Sequence, residues 1–459
     1  MFVMKAIVSD NIISYNNCDT VVDDLFDESF YEESDKVAHI YYNDTYGVNE
    51  LYYWLIQHYL AIDMWVKHNN PTLVDIRDAN EQYKYFFKDI CKNNNVNVAG
   101  CRFYWKAFSR VKYSLTVLSS ALYICYLLLK IPFKPGIIIS DKFAVLRTNA
   151  SIKKFKKFAE INQEIESFYD KNSIYRLYPR IKRIKWVFKA YLNSFITFSE
   201  LDSFYAPLLG KHFKFALMDF YKKRIVYAEL YKLIMDEYLS NFKGKVFYSG
   251  NNLDRYSVIE DQLCKKYHIY SNNIPHGIEY GFKFPKGFSS DVFYVHSQYT
   301  ADFLNKLYNT SKFTYDESVI RRMFEYHYDK PHDKMIIFFT EPREVNVNVD
   351  IVNDLLPRLK EKGLKLYLKL HPGDNKANYE GMDVEYVTDY ELSLTGNICI
   401  SRKSTILLEA IYNNSLPIAI ITNLKDKTMF TLFPSLNAKE IIKTYDVGEL
   451  MEVILKNLQ

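Results

Sequence analysis

Apolar runs and helical patterns alternate along the second half of the chain. Residues Lys245–Ser249 and Asp291–Val295 are short apolar runs that predict buried strands, and Tyr256–Lys266 carries the amphipathic period of a helix. The connections between these elements are short. Strand, helix and strand in this order are typical of a parallel sheet covered by helices on both faces. We therefore predict an α/β fold.

A polar and charged segment, Asn309–Asp333, separates this region from a second one of the same kind. The pattern that follows predicts strands over Met335–Thr340 and Leu364–Leu370 with a helix over Val349–Lys362 between them. We therefore expect two Rossmann-like domains that face each other across a cleft. The N-terminal domain would cover residues 1–330, with a helical and basic insertion around 110–240, and the C-terminal domain residues 331–459.

The most apolar window is Leu115–Leu129. At 15 residues it is shorter than the roughly 20 residues that cross a bilayer, and Lys130 and Pro132 close it. A buried core helix is the leading interpretation, and a helix that lies in a membrane interface is the alternative.

A basic segment follows between Arg147 and Lys189. It contains 12 basic and four acidic residues, a net charge of +8, with aromatic residues interleaved. Such a surface suits anionic lipid headgroups or an anionic acceptor, and it could equally be the solvated side of a helical pair. Nucleic acid is the weakest of the three interpretations, and we expect no nucleic-acid partner.

The overall composition adds little to this picture. The net charge of the whole chain is only +4, and the 17% aromatic content is high. The six cysteines include no Cys-x-x-Cys pair, which argues against structural zinc and for a reducing compartment. The start of the sequence resembles a strand rather than a signal peptide. We expect a cytoplasmic protein, or one peripheral on the inner face of the cytoplasmic membrane.

Three clusters of polar residues follow predicted strands, at the sheet edge where α/β folds bind ligands. In the first, His371 is followed by Pro372 and Gly373, so the proline fixes the chain as it leaves the strand. An imidazole held there could stabilise a leaving phosphate.

The second cluster contains Ser401, Ser404 and Thr405 and opens a helix that carries Glu409. Hydroxyls and free N–H groups at a helix start form a good anion site, and Arg402-Lys403 would add positive charge. An ordinary N-cap is the structural alternative.

The third cluster is Pro275-His276-Gly277-Ile278-Glu279-Tyr280-Gly281. Its glycines permit tight turns that would expose His276 and Glu279. Either side chain could accept a proton from an acceptor hydroxyl, and a hydrogen-bonded loop histidine is the structural alternative.

Taken together, the His-Pro element and a Ser/Thr element 33 residues later, with Glu-Ala in its helix, resemble the nucleotide-sugar domain of GT-B glycosyltransferases. The resemblance is to bacterial sialyltransferases and related capsule and lipopolysaccharide transferases, and it covers roughly residues 335–421 well. Phe338-Phe339-Thr340-Glu341-Pro342 resembles the first C-terminal strand and loop of that family, which adds Thr340 and Glu341 to the candidate residues.

The resemblance implies an inverting transferase that needs neither metal nor cofactor. It would move a sialic acid or related ulosonic acid from a CMP-sugar to a glycan or glycolipid of the bacterial surface. By the same resemblance, His371, Ser404 and Thr405 would contact the donor phosphate, and Glu409 would support the nucleotide pocket. Pro372, Gly373 and Ser401 belong to the same loops.

The chain departs from the family in one motif. The acidic Asp/Glu–Asp/Glu–Gly motif that supplies the base is absent, and His276-Gly277 resembles polymerases that use CDP-glycerol. The donor could therefore be CDP-glycerol or a UDP-sugar, and the base His276 or Glu279. A UDP-sugar 2-epimerase and a scaffold for capsule assembly are further alternatives.

Overall fold

Strands and helices alternate along most of the chain in the computed structural model, which describes residues 4–42, 49–100, 105–134, 142–146, 149–161, 168–170, 173–242, 245–250, 255–275, 281, 290–326, 328, 330–342 and 344–458. The strands are β1 (Lys5–Asp10), β2 (Ile12–Tyr15), β3 (Cys18–Val21), β4 (Leu73–Ala79), β5 (Asn97–Ala99), β6 (Lys142–Leu146), β7 (Phe168–Asp170), β8 (Val246–Ser249), β9 (Tyr270–Asn273), β10 (Val292–Tyr294), β11 (Phe313–Thr314), β12 (Ile336–Phe339), β13 (Leu366–Lys369), β14 (Glu385–Tyr386), β15 (Ile398–Ser401), β16 (Leu416–Ile420) and β17 (Ile442–Thr444).

The α-helices are α1 (Glu28–Val37), α2 (Asn49–Leu51), α3 (Gln57–Asn69), α4 (Glu81–Asn93), α5 (Trp105–Lys130), α6 (Asn149–Ile161), α7 (Arg180–Leu209), α8 (Phe213–Tyr221), α9 (Ile225–Asn241), α10 (Arg255–Lys266), α11 (Gln298–Tyr308), α12 (Glu317–Phe324), α13 (Val345–Glu361), α14 (Tyr390–Leu394), α15 (Ile406–Tyr412), α16 (Leu424–Leu432) and α17 (Val447–Lys456). A π-helical segment, Tyr52–Ile56, joins α2 to α3.

The chain divides into two compact units. Unit 1 comprises Met1–Ile152, Asn162–Ile274 and Phe282–Phe293, and unit 2 comprises Lys153–Ile161, Pro275–Gly281 and Tyr294–Gln459. Unit 2 therefore includes most of α6, which is far from the rest of that unit in sequence.

Strands β12 to β17 of unit 2 form one sheet in the order β14-β13-β12-β15-β16-β17. Every adjacent pair in it is parallel. With β12 counted as the first strand, this is the order 3-2-1-4-5-6 of doubly wound α/β folds. The predicted α/β fold with parallel strands is confirmed.

The core of unit 2 follows from the alternation of side chains along each strand. Ile336 and Phe338 of β12 pack with residues of α13 and α17 on one face of the sheet. Ile337 and Phe339 lie in a separate cluster with Cys399 and Ala410 on the other face. Because both faces are covered, the central strands are apolar at nearly every position.

The described strands of residues 1–314 form two further sheets. One has the order β3-β2-β1-β4-β5, with β1–β2 and β2–β3 antiparallel and β1–β4 and β4–β5 parallel. The other has the order β11-β10-β9-β8-β6-β7, with parallel pairs from β7 to β10. The short apolar run predicted as a strand at 136–140 lies outside the described residues.

Helices α5, α7, α8 and α9 pack against one another in unit 1. The helix predicted over 115–129 is confirmed, but α5 is longer and only one of its faces is buried. By length and composition its segment Ser109–Lys130 could cross a membrane.

A fully buried arginine joins two of these helices. Arg183, in the first turn of α7, donates hydrogen bonds to the carbonyl oxygens of Leu128 (2.9 Å) and Ile131 (2.7 Å) at the end of α5. It also donates to the carbonyl of Tyr178 at 2.7 Å. The last carbonyls of an α-helix have no partner within that helix, so Arg183 serves as a side-chain cap for α5.

The basic segment 147–189 is not one continuous surface. Within α6, Phe155 and Phe158 are buried, and the Lys154 ammonium lies in the interior of unit 2. Lys157 donates to the carbonyl of Glu325 at 2.5 Å and lies over the ring of Tyr326. Only part of the predicted positive charge therefore faces solvent.

We predict that Arg183→Met lowers the free energy of unfolding by about 3 kcal/mol, because several carbonyl oxygens lose their charged donor. Thermal unfolding followed by circular dichroism measures the change. The matched control is Arg180→Met, which removes the same charge from the exposed face of α7 and should change stability by less than about 0.5 kcal/mol. Equal melting temperatures for the two variants would contradict the capping role.

Candidate functional site

Three loops leave the carboxyl ends of β12, β13 and β15 in the middle of the unit 2 sheet. They carry Thr340-Glu341, His371-Pro372-Gly373 and Arg402 to Thr405. The chain winds away from β12 in both directions along the sheet, so β12 and β15 flank the topological switch point. Ligands of open α/β sheets bind outside the carboxyl ends of the strands at that point.

The dipeptide Thr340-Glu341 connects the three loops. The backbone N–H of His371 donates to Thr340 Oγ1 at 3.0 Å. The backbone N–H of Lys403 donates to Glu341 Oε1 at 2.6 Å. Thr340 and Glu341 are both buried, so these bonds hold the second and third loops against the first.

The geometry of the His371 loop determines which ring nitrogen carries the proton. The backbone N–H of Gly373 donates to His371 Nδ1 at 3.0 Å. An acceptor nitrogen cannot carry a proton, so the neutral ring has its hydrogen on Nε2. Partial burial lowers the pKa of His371 below its ordinary value, although the charge of Asp374 opposes this. The imidazole is therefore a neutral Nε2–H donor at neutral pH.

Asp374 holds the far side of the same loop. It accepts hydrogen bonds from Tyr379 Oη at 2.9 Å and from Asn378 Nδ2 at 2.8 Å. Burial raises the pKa of Asp374, but hydrogen bonds from Thr340, Asn378 and Tyr379 outweigh it and lower the pKa. The carboxylate therefore remains ionised and fixes the turn.

Gly373 lies close to the first loop. A Cβ atom at this position would lie 3.1 Å from the Cβ of Pro342, tighter than most real contacts. The glycine thus allows the His371 loop and the Glu341-Pro342 loop to approach each other.

The hydroxyls of the third loop differ in their surroundings. Ser401 is fully buried, and its Oγ donates to the carbonyl of Phe339 at 3.2 Å, which links β15 to β12. Ser404 Oγ accepts from the backbone N–H of Ile406 at 3.3 Å, which leaves its own proton for another acceptor. Thr405 makes no side-chain cap bond to α15.

Arg402 and Lys403 are paired internally. The fully buried Arg402 donates to both carboxylate oxygens of Asp426 at 2.7 Å and to Glu344 Oε2 at 2.6 Å. Lys403 Nζ pairs with the same two carboxylates. Burial alone would lower the pKa of Arg402, but Asp426 raises it. We expected these cations to add positive charge for a ligand; instead, each is matched by a carboxylate.

Glu341 lies beside this network. Burial raises the pKa of Glu341, although the charges of Lys403 and Arg402 act in the opposite direction. Because its pKa is raised, Glu341 is protonated at a higher pH than an exposed glutamate is.

Glu409, on α15, is the acceptor in a buried group that sequence reasoning missed. Its Oε2 accepts from Tyr326 Oη at 3.1 Å and from Tyr390 Oη at 2.9 Å, and its Oε1 lies 3.4 Å from Lys154 Nζ. Burial raises the pKa of both tyrosines, so they remain hydroxyl donors. The sequence offers only one general indication of this group: a carboxylate that is buried needs hydrogen-bond donors or a cation as partners.

The structure thus places Thr340, Glu341, His371, Pro372, Gly373, Ser401, Ser404 and Thr405 on neighbouring loops or strand ends of one sheet edge. His276 and Glu279 lie outside the described residues. Among the residues that are described, no group of three or more His, Cys, Asp or Glu could hold a metal ion.

Comparison with known proteins gives matches among solved structures alone. No protein-family model and no curated protein sequence matches the chain. It is similar to UDP-GlcNAc 2-epimerase from Neisseria meningitidis, with 10% identity, a TM-score of 0.42 and coverage of 69% of this chain and 91% of that chain. It is also similar to the glycosyltransferase SnogD from Streptomyces nogalater, with 10% identity, a TM-score of 0.35 and coverage of 67% of this chain and 87% of that chain. A third similar structure is E. coli heptosyltransferase WaaC, with 12% identity, a TM-score of 0.33 and coverage of 69% of this chain and 99% of that chain.

These neighbours are enzymes of GT-B type, the fold class predicted from the sequence. At such identities and TM-scores they carry no argument about substrate or site residues. The α/β fold of the chain rests on the sheets described above, and the finer resemblance to sialyltransferases stays a prediction.

We predict that the His371 imidazole titrates below the ordinary histidine pKa of about 6.5 and is protonated at Nε2 when neutral. Heteronuclear NMR of the ring nitrogens measures both properties. Asp374→Asn should lower the pKa further, because the opposing charge is removed. Since the folded-state pKa is lowered, the stability linked to this group is present above the unfolded pKa and is lost as the pH falls through the folded one. A pKa at or above the ordinary value would contradict the effect of burial, and a neutral ring with its proton on Nδ1 would contradict the assigned tautomer.

We predict that Arg402→Met destabilises the protein by about 3–5 kcal/mol, because Asp426 becomes a buried charge without its main partner. Chemical unfolding followed by circular dichroism measures the loss, because all four tryptophans belong to unit 1 and would not report on unit 2. Arg402→Met combined with Asp426→Leu should recover much of it, since no unpaired carboxylate remains. A double variant as unstable as the single one would show that the pair is not the reason.

Proposed function

We propose that the protein is an inverting, metal-independent glycosyltransferase that binds a nucleotide sugar at the carboxyl edge of the unit 2 sheet. The observation that supports this most is the pair of hydrogen bonds that the Thr340 and Glu341 side chains accept from the backbone N–H groups of His371 and Lys403. Through them one buried dipeptide holds the His371 loop and the Ser404 loop at the switch point of a doubly wound sheet. Donor groups for a phosphate thus come from both sides of one strand end.

In this proposal the acceptor hydroxyl attacks the anomeric carbon, and the bond from that carbon to the phosphate oxygen breaks. The neutral His371 donates a hydrogen bond from Nε2–H to the departing phosphate, which stabilises the developing charge. The hydroxyls of Ser404 and Thr405 bind the same phosphate. The acceptor proton goes to His276 or Glu279.

Ser401, Glu341 and Glu409 act in this proposal as positioning residues. Ser401 ties β15 to β12, Glu341 holds the backbone of Lys403, and Glu409 anchors α15 to its neighbours. Pro372 and Gly373 shape the loop that presents the imidazole. Such supports preorganise a site so that its donors need not rearrange during reaction.

We propose a CMP-linked sialic or related ulosonic acid as the donor and a bacterial surface polysaccharide or lipopolysaccharide as the acceptor. The His-Pro and Ser/Thr elements support this choice through their resemblance to sialyltransferases. CDP-glycerol, UDP-sugars and a 2-epimerase reaction are the competing assignments. Thermal-shift measurements with CMP, CDP and UDP separate the donors, since a ligand at 100 times its Kd adds about 2.7 kcal/mol. Conversion of a UDP-sugar without any acceptor would indicate the epimerase.

We predict that His371→Asn lowers kcat about 100-fold with the preferred nucleotide sugar. The Asn side-chain oxygen can still accept from the Gly373 N–H, as in an Asx turn, but the Nε2–H donor is lost. Nucleotide release measures turnover. His332→Asn changes an exposed histidine elsewhere in unit 2 and should leave turnover unaltered. A His371→Asn variant with full activity would exclude the proposed role.

A further inference from the structure

Helix α5 has two apolar faces, and only one of them is covered. The inner face is buried against the neighbouring helices α7, α8 and α9 at positions spaced by three and four residues, namely Tyr113, Val117, Ala121, Ile124 and Leu128. The outer face carries large apolar residues in the same spacing, among them Leu115 (61% exposed) and Leu122 (63% exposed). An ordinary amphipathic helix would have polar residues there.

Helix α7 repeats this arrangement. Its outer face carries Ile181, Ile184, Phe188, Leu192 and Ile196, again spaced by three and four residues. Ile181 is 71% exposed and Phe188 64%. Scattered apolar residues are normal on protein surfaces, but two continuous stripes on adjacent helices form a patch that marks an interaction site.

The two stripes lie on adjacent helices of unit 1. Helices α5 and α7 pack on each other, and both also contact α8 and α9. Their exposed faces therefore point away from α8 and α9, in the same general direction. The buried Arg183 fixes the end of α5 to the start of α7.

The charged side chains that α5 and α7 carry beside these apolar residues are cations as far as Ile196, and Glu200 follows one turn later on α7. Lysines and arginines accompany the apolar residues on both helices and directly after α5, namely Arg110, Lys112, Lys130, Lys134, Arg180, Lys185 and Lys189. Within the described part of the chain, none of these seven pairs with a carboxylate. The sequence contains no Asp or Glu from 105 to 134 or from 173 to 199.

We propose that the outer faces of α5 and α7 dock on an anionic lipid bilayer and lie in its interface. Exposed apolar side chains would enter the headgroup and acyl boundary, and the cations would face anionic headgroups. A second copy of the chain is a poor partner for this surface, because two faces with the same positive charge would repel each other. The buried inner face of α5 decides against a helix that crosses the bilayer, since its partners would have to separate.

Vesicle co-sedimentation of the full chain tests the proposal. The vesicles contain either phosphatidylcholine alone or equal parts of phosphatidylcholine and phosphatidylglycerol. We expect binding to the anionic vesicles that weakens with salt, and little binding to the neutral ones. No substrate is needed, so the result does not depend on the proposed reaction.

Two triple variants separate the contribution of apolar contact to vesicle binding from that of positive charge. Leu115→Gln with Leu122→Gln and Phe188→Gln removes apolar contact, and Arg180→Gln with Lys185→Gln and Lys189→Gln removes charge. Each surface cation contributes about a fivefold factor, so the charge variant should bind about 100-fold more weakly. The apolar variant should lose at least as much. All six positions are exposed, so the fold should be retained, and circular dichroism checks this.

Matched controls change the same chemistry elsewhere. Ile7→Gln with Ile12→Gln and Ile40→Gln removes three exposed apolar residues, and Lys360→Gln with Lys362→Gln and Lys365→Gln removes three exposed cations. Both should bind as the unchanged protein does. The proposal is overturned if the unchanged protein stays in the supernatant or if the α5–α7 variants bind normally. It is equally overturned if binding survives an alkaline carbonate wash, or if the apolar variant merely abolishes a dimer seen by light scattering.

Discussion

Two hydrogen bonds to one buried dipeptide organise the candidate site. Thr340 and Glu341 follow the central strand β12, where the sheet winds away in both directions, and each accepts a backbone N–H from a different neighbouring loop. The loops themselves are short and polar, and on their own they would sample many conformations. Because both loops are attached to the buried end of β12, the positions of His371 and Ser404 relative to each other are fixed. The ion pairs beneath, with Arg402 and Asp426 at their centre, keep the third loop in place.

Much of unit 2 could be predicted from the sequence because its strands are covered on both faces. Runs such as Ile336–Phe339 and Ile398–Ser401 are apolar at nearly every position, and buried strands of a parallel sheet require this. Polar residues directly after such runs must meet at one edge. This is why the loops with Thr340, His371 and Ser404 could be grouped before the structure was known, whereas the roles of these residues still rest on the resemblance.

Contacts between residues far apart in sequence could not be predicted. Nothing near Glu409 in the sequence indicates that Tyr326, Tyr390 and Lys154 surround it, because those contacts depend on how whole elements pack. Arg402-Lys403 resembled a cationic loop, and only the structure supplies Asp426 and Glu344 as partners. The hairpin β2–β3 did have a local signal that we missed: its two-residue turn, Asn16-Asn17, has left-handed backbone at both positions, and asparagine tolerates this well.

The position of α6 has a consequence for any attempt to isolate the C-terminal part of the protein. A fragment that starts at Tyr294 would contain Glu409, Tyr326 and Tyr390 but not Lys154, the cation that faces Glu409 from a helix about 250 residues upstream in sequence. Around the Glu409 carboxylate the fragment would keep the two phenols but lose the cation. Such a fragment is incomplete in electrostatic terms, although its sheet has every strand. The compact unit is therefore discontinuous along the chain, and the charge balance around Glu409 depends on a helix from outside its main segment.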